Sequence, residues 1–274
     1  MVFAAALSIR VAFIAIDGRG AGERIGDSED YHACAYNLVD RGVYDNGKGE
    51  LAARMPGYPL LLAAQFVTLG RSPYVTQAWQ ALLGALTCVL VYLLAALVYG
   101  GRWPLLAGLL AAASFDMVNP SARLLTEGPA AFFLTLALWL LSEDRALRPA
   151  RAAAAGAAAG ALILLRPEFA PWTLLAAFIA GWRSRWVNAA AVCLVAGAML
   201  APWALRNARA LGRPIAATSA GAFNLYGWGV PRTIEERLDG PRWERAPEGS
   251  GELAASDFYA ERTKRFFLME GKAG

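Results

Sequence analysis

The sequence predicts an all-α protein: a polytopic bundle of about seven transmembrane helices, with an extracytoplasmic first loop that contains short juxtamembrane helices. Three observations carry this. Hydrophobic residues make up 57% of the 274 positions and charged residues only 18%, and the mean hydropathy is +0.37, well off the soluble average. The apolar residues fall in runs that approach the roughly twenty needed to cross a bilayer. Nine Trp and nine Tyr suit the aromatic belts of membrane interfaces. The expected partner is therefore the lipid bilayer. With a net charge of only +4 and arginines scattered over short turns, nucleic acid is not an expected partner. Cys34, Cys88 and Cys193 form no CxxC pair, and Cys88 and Cys193 lie in apolar runs as small packing residues, so no disulfide framework is implied.

The first run, 2–16, carries Arg10 in its middle and lacks a small-residue cleavage site before the charged loop, so it reads as a retained span and not a signal peptide. Arg10 should face protein or a cavity, with Asp17 or Glu23 as structural partner. In the loop 17–57, residues 29–41 read as a helix: Tyr31, Cys34, Ala35 and Leu38 follow the i, i+3, i+4, i+7 pattern and Gly42 supplies a stop. The run 56–69 opens with Pro-Gly-Tyr-Pro and is too short to span, which fits an interfacial helix over 56–70. Further spans are expected at 74–99, 103–120, 126–142, 150–165, 168–182 and 186–203. The fifth span is almost entirely Ala and Gly, and its small-xxx-small spacing predicts a centrally packed helix. No repeated unit suggests the inverted halves of a transporter. Residues 1–205 form the membrane module. Residues 206–274 are a charged, Gly- and Pro-rich extracytoplasmic tail, in which 258–269 resembles an amphipathic helix returning to the membrane. The chain is expected to be incomplete at both ends.

Orientation follows from the turns. Arg102, then Arg145, Arg148 and Arg151, then Arg183 and Arg185 occupy alternate turns, which the positive-inside rule makes cytoplasmic. The loop 17–57, the turns 119–127 and 166–168, and the tail from Arg206 then share the outer face.

Acid and base meet on that loop. Asp27 falls at or near the N-cap of the first loop helix, where it could simply cap the helix. A helix N-terminus also fixes a carboxylate and keeps it ionised, which suits a base that accepts a proton from an acceptor hydroxyl or amine. Arg54 is either a snorkelling anchor or a permanent cation suited to holding phosphate. Glu127 starts the fourth span on the same side, where it could line the site or bond Arg123 one turn earlier. Arg166 and Glu168 read as a local pair closing a turn. Trp203 is an interfacial anchor, and Arg206 beside it could pair with a carrier phosphate. The aromatic-glycine stretch around Phe223 and Tyr226 either stacks sugars or packs on the membrane surface. His32, the only histidine, could complete a divalent-cation site with Asp27, Glu29 and Asp30, but residues 29, 30 and 32 share no helical face. Glu29, Asp30 and His32 therefore read as bystanders.

These residues carry a family likeness. Asp27-x-x-x-Tyr31, Ala35-x-x-Leu38, Gly42-x-Tyr44 and Arg54-x-Pro56-Gly57-Tyr58-Pro59-Leu60-Leu61 resemble the first extracytoplasmic loop of the GT-C glycosyltransferases, in the protein O-mannosyltransferase and aminoarabinose-transferase group. Leu124-Leu125-Thr126-Glu127, Leu165-Arg166-Pro167-Glu168 and Pro202-Trp203-x-x-Arg206-Asn207 continue it, as does the stretch from Thr218 to Tyr226. The resemblance implies transfer of a sugar from a polyprenyl-phosphate sugar to a glycan, lipid or protein acceptor on the outer face of the cell membrane, as in a bacterial inner membrane. It implies Asp27 as catalytic base and Arg54 as the phosphate-binding residue; Tyr58, Tyr31, Glu127 and Arg206 are expected as further substrate contacts. It leaves dependence on a divalent cation undecided. A lipid phosphate leaves as a stable anion, so one carboxylate and one cation suffice where glycoside hydrolysis usually needs two carboxyl groups. The alternatives are a transporter or flippase of lipid-linked sugars, which would need polar residues at the span midplanes, and a non-catalytic, truncated family member.

Overall fold

The computed structural model describes residues 1–17, 26–142, 147–183, 185–229, 246–247 and 249–265, and all regular structure among them is helical. In chain order the helices are α1 (Val2–Asp17), α2 (Asp27–Arg41), α3 (Gly57–Thr68), α4 (Pro73–Ala96), α5 (Trp103–Ala113), α6 (Phe115–Val118), α7 (Glu127–Ser142), α8 (Pro149–Leu165), α9 (Ala170–Arg183), α10 (Trp186–Leu211), α11 (Gly221–Gly229) and α12 (Glu252–Arg265). Short 3-10 turns at Asn119–Ser121 and Pro167–Phe169 lead into α7 and α9.

Two of these helices, α4 with 24 residues and α10 with 26, are long and apolar enough to cross a membrane. The helices α3, α5, α7 and α8 are apolar but shorter, with 10–17 residues. The expected span over 103–120 is broken: α5 stops at Ala113, Ser114 is extended (ψ 125°), and α6 with its 3-10 turn continues in a new direction. The expected span over 186–203 instead runs on to Leu211 through Pro202, so the boundary drawn at 205 falls inside a helix. Proline there gives up one backbone donor but does not end the helix.

Packing turns on α4 and α8. One face of α4 meets α1, α5 and α7. The helix α8 lies between α7 and α10 and contacts α3 near its end. Its small residues set that closeness, because a Cβ on Gly156 would lie 2.6 Å from the Val192 carbonyl oxygen and one on Gly160 would lie 2.9 Å from Met199 Sδ. This is the central small-residue helix expected from the sequence, and its interface depends on backbones approaching closely.

Arg10 is fully buried. Neither partner suggested by the sequence holds it among the described residues: its guanidinium donates to the carbonyls of Ala6 and Met117 (3.1 and 2.8 Å) and to Cys88 Sγ. Asp17 instead pairs with Arg123 at 2.9 Å, and Glu23 lies outside the described residues. A Cβ on Gly84 would overlap Arg10 Nε, so this glycine makes room for the side chain. Part of the tail is structured, as α12 packs against α11. Residues 266–269 of the expected returning helix lie outside the described residues.

Candidate functional site

Gly26 (φ 62°) lets the chain enter α2, and Gly42 (φ 66°) ends it with an N–H to the Leu38 carbonyl oxygen. Both glycines have a positive φ that a Cβ disfavours, and Gly42 takes the left-handed helical conformation of a helix stop. The stop at Gly42 falls where the pattern placed it. Asp27, however, lies inside the first turn and not at the cap position, which Gly26 occupies without a side-chain cap. Tyr31 and Ala35 bury α2 against Tyr58, Leu62 and Phe66 of α3. In turn, α3 starts in contact with the end of α8: a Cβ on Gly57 would lie 2.6 Å from the Leu164 carbonyl oxygen.

The loop from α2 to α3 is held from several directions. Tyr44 Oη donates to the carbonyls of Arg54 and Met55 (3.1 and 3.2 Å). Arg206 donates to the carbonyls of Leu51 (2.5 Å) and Tyr44 (2.6 Å). The Glu252 carboxylate accepts the N–H groups of Leu51 and Ala52 (2.6 and 2.8 Å) and the Ser219 hydroxyl (2.5 Å). Thr218 Oγ1 donates to the Ala53 carbonyl at 2.6 Å. These contacts satisfy backbone groups of an irregular segment and present Arg54 toward α2.

Arg54 joins two acids. Its Nη2 lies 2.6 Å from Asp27 Oδ1 and 2.9 Å from Asp30 Oδ2, and its Nε donates to Asp30 Oδ2 at 3.0 Å. Lys48 Nζ holds the other Asp30 oxygen at 2.8 Å. The Asp30 side chain is only 8% exposed, whereas that of Asp27 is 53% exposed. Asp30 is thus the anchor and Asp27 the partner that reaches solvent. Burial alone would lower the Arg54 pKa, but Asp27 and Asp30 outweigh it and hold the guanidinium above its ordinary value. Burial, then the Asp27 charge, push the Tyr31 phenol up to about 12, so it stays protonated as a donor.

Asp27, Tyr31 and Arg54 line a cavity of about 160 Å³ whose far wall holds Glu127, Arg166 and Glu168. Arg166 donates to Glu168 Oε1 (2.7 Å) and to Glu127 Oε1 (3.1 Å). The expected Arg166–Glu168 pair is present, while Glu127 pairs with Arg166 and not with Arg123. Thr218 and Asn224 complete the wall from the tail. A second cavity, of about 470 Å³, shares Asp27 and Arg54 with the first and extends toward α12. Two guanidinium groups thus face the smaller cavity, with a half-exposed carboxylate at its junction with the larger one. Such a site can hold a phosphate and accept a proton beside it.

Four expected site residues, Asp27, Tyr31, Arg54 and Glu127, therefore meet on one cavity. The other two lie elsewhere. Tyr58 is fully buried, with its hydroxyl donating to Gln80 Oε1 at 2.7 Å. Arg206 is engaged with the loop backbone and lies over the rings of Tyr44 and Trp203. Arg206 positions the loop, Tyr58 joins α3 to α4, and neither lines the cavity. His32 is 3% exposed and packs near the Phe66 ring, 5.8 Å between centroids, and no group of three or more metal-ligating side chains occurs among the described residues. Sequence reasoning missed Asp30, Lys48 and Glu252. The three-residue spacing of Asp27 and Asp30 on one helix was a usable signal for the first. Nothing in the sequence links Glu252 to a loop 200 positions earlier.

No family model, no curated protein and no solved structure matches the chain significantly.

Proposed function

We propose that this chain is an integral-membrane glycosyltransferase of the GT-C type, moving a sugar from a polyprenyl-phosphate donor to an acceptor on the extracytoplasmic face, with Asp27 as base. The observation that supports it most is the meeting of Asp27, Arg54 and Arg166 on one cavity. In this reading α4 and α10 are full crossings, the shorter apolar helices complete the bundle, and the broken α5–α6 unit counts as one span. The α2–α3 loop, the turns before α7 and α9 and the segment after α10 come together at one end, which is then the outer face.

The chemistry is a displacement at the anomeric carbon. The donor's phosphate lies between Arg54 and Arg166 and competes with Asp27 for Arg54 Nη2, while Asp30 keeps Nε in place. The acceptor hydroxyl or amine attacks the anomeric carbon, the bond to the phosphate oxygen breaks, and Asp27 takes the acceptor's proton. The lipid phosphate departs as an anion held by the two guanidinium groups, with inversion at the anomeric centre.

The test is direct. Purified protein is incubated with a panel of polyprenyl-phosphate sugars and donor consumption is followed. Wild-type protein should consume one of them, and Asp27→Asn should lower the rate by roughly 10²–10⁴. Undiminished turnover in that variant removes Asp27 from the reaction. Movement of the donor across vesicle membranes without consumption would mark a flippase instead.

A further inference from the structure

The larger cavity has a chemistry of its own. It lies across the Asp27–Arg54 wall from the smaller one and is closed by side chains from the end of the chain, among them Phe223, Asn224, Ser256 and Tyr259. Phe223 and Tyr259 stand edge to face, 5.1 Å apart at 77°. Tyr259 is 8% exposed and Phe223 is 37% exposed, so Phe223 is the more accessible ring of the pair at the lining. An aromatic ring beside hydroxyl, amide and carboxylate groups is a surface for a sugar: the C–H face packs on the ring and the hydroxyls reach the polar groups.

Charge narrows the ligand further. Among the described residues the lining carries Asp27, Asp30, Glu50 and Glu252 against Arg54, and Lys48 is already paired with Asp30. The acids are held in place: Glu252 by two backbone N–H groups and Ser219, and Glu50 by Asn46 Nδ2 at 2.6 Å. The smaller cavity sets two arginines against Asp27, Glu127 and Glu168, an excess of one acid where the larger has an excess of three. The anionic donor headgroup suits the smaller cavity, and like-charge repulsion keeps an anion out of the larger one.

We infer that the larger cavity receives the acceptor, and that this acceptor is a sugar that is neutral or carries an ammonium group, with carboxylated and phosphorylated sugars excluded. It enters on the α12 side, stacks on Phe223 and brings a hydroxyl to Asp27, opposite the donor. Glu50 sets the preference for positive charge. The acceptor role rests on the transferase reading above, and the experiment separates the two.

The full chain in detergent is titrated calorimetrically with three disaccharides: chitobiose, its fully de-N-acetylated form, and digalacturonate. The ammonium-bearing form should bind about fivefold more tightly than chitobiose at low salt, with digalacturonate not detected. Glu50→Gln should narrow that contrast to about twofold, and Phe223→Ala should weaken both binding sugars about fivefold, each variant keeping its thermal melting point. Equal binding of the three sugars, preferred binding of digalacturonate, or no binding at all overturns the inference. Asp27-dependent donor consumption without the charge preference leaves the transferase reading standing and removes this one. Sugar binding with no donor consumption removes the acceptor role together with that reading.

Discussion

Arg54 shows how far single residues could be read. Its charge beside Pro-Gly-Tyr-Pro was visible, and so was Asp27 at the head of a helix, but the acid that anchors Arg54, Asp30, read as a bystander. Asp30 belongs to the site because its buried carboxylate takes Arg54 on one oxygen and Lys48 on the other. A lysine at position 54 cannot reproduce the planar contact of Nε and Nη2 with two acids. Arg54→Lys should therefore raise the donor KM by about tenfold, an effect of about 1.4 kcal/mol, measured by donor-dependent turnover. Arg54→Met leaves Asp30 buried with Lys48 alone and should lower stability by about 1–3 kcal/mol, read from thermal unfolding. Wild-type behaviour of Arg54→Lys would mean that only charge, and not geometry, matters at this position. Arg206 teaches the opposite lesson. It looked equally suited to a phosphate, yet its nitrogens are bonded to backbone carbonyls of the loop.

At the scale of elements, apolar runs located most of the helices and periodicity located α2, because both signals are written in a helix's own residues. The start of α2 and the course of α5 and α10 were misjudged, since an apolar run does not say where its backbone bends. Glycines mark where elements must touch. Gly57→Ala and Gly156→Ala would each place a methyl group 2.6 Å from a carbonyl oxygen of a neighbouring helix, Leu164 and Val192 respectively. Each should cost about 2 kcal/mol or more, seen as a lower melting temperature in detergent. Gly197, in α10, has nothing within 4 Å of its would-be Cβ. Gly197→Ala should raise stability by up to about 1 kcal/mol through helix propensity alone. The same substitution thus changes sign with its surroundings, and equal effects at the three positions would remove close helix contact as the cause.

For the whole molecule, the proposed sidedness puts Glu29 outside and Arg102 inside. Both positions are exposed, and α4 carries the chain from the site end toward the turn holding Arg102. In a background with the exposed Cys193 changed to Ala, the remaining cysteines, Cys34 and Cys88, are buried. Glu29→Cys should then react with a membrane-impermeant maleimide on intact cells, and Arg102→Cys only after permeabilisation. Labelling of both from the same side would overturn the topology and, with it, the extracytoplasmic site.

The sequence by itself determined that the protein is helical, where most of its apolar helices run, and that acid and base concentrate on one loop. These are local properties, carried by hydropathy and by spacings within a single helix or turn. Only the tertiary structure decided which charges meet. Arg54 reaches Asp27 and Asp30, Arg166 reaches Glu127, and Glu252 fastens the loop beside Leu51 and Ala52. Those pairings depend on helices far apart in the chain ending at a common height. Spacing within one helix cannot encode that, because it is set by how closely glycine lets the backbones of α3, α8 and α10 approach.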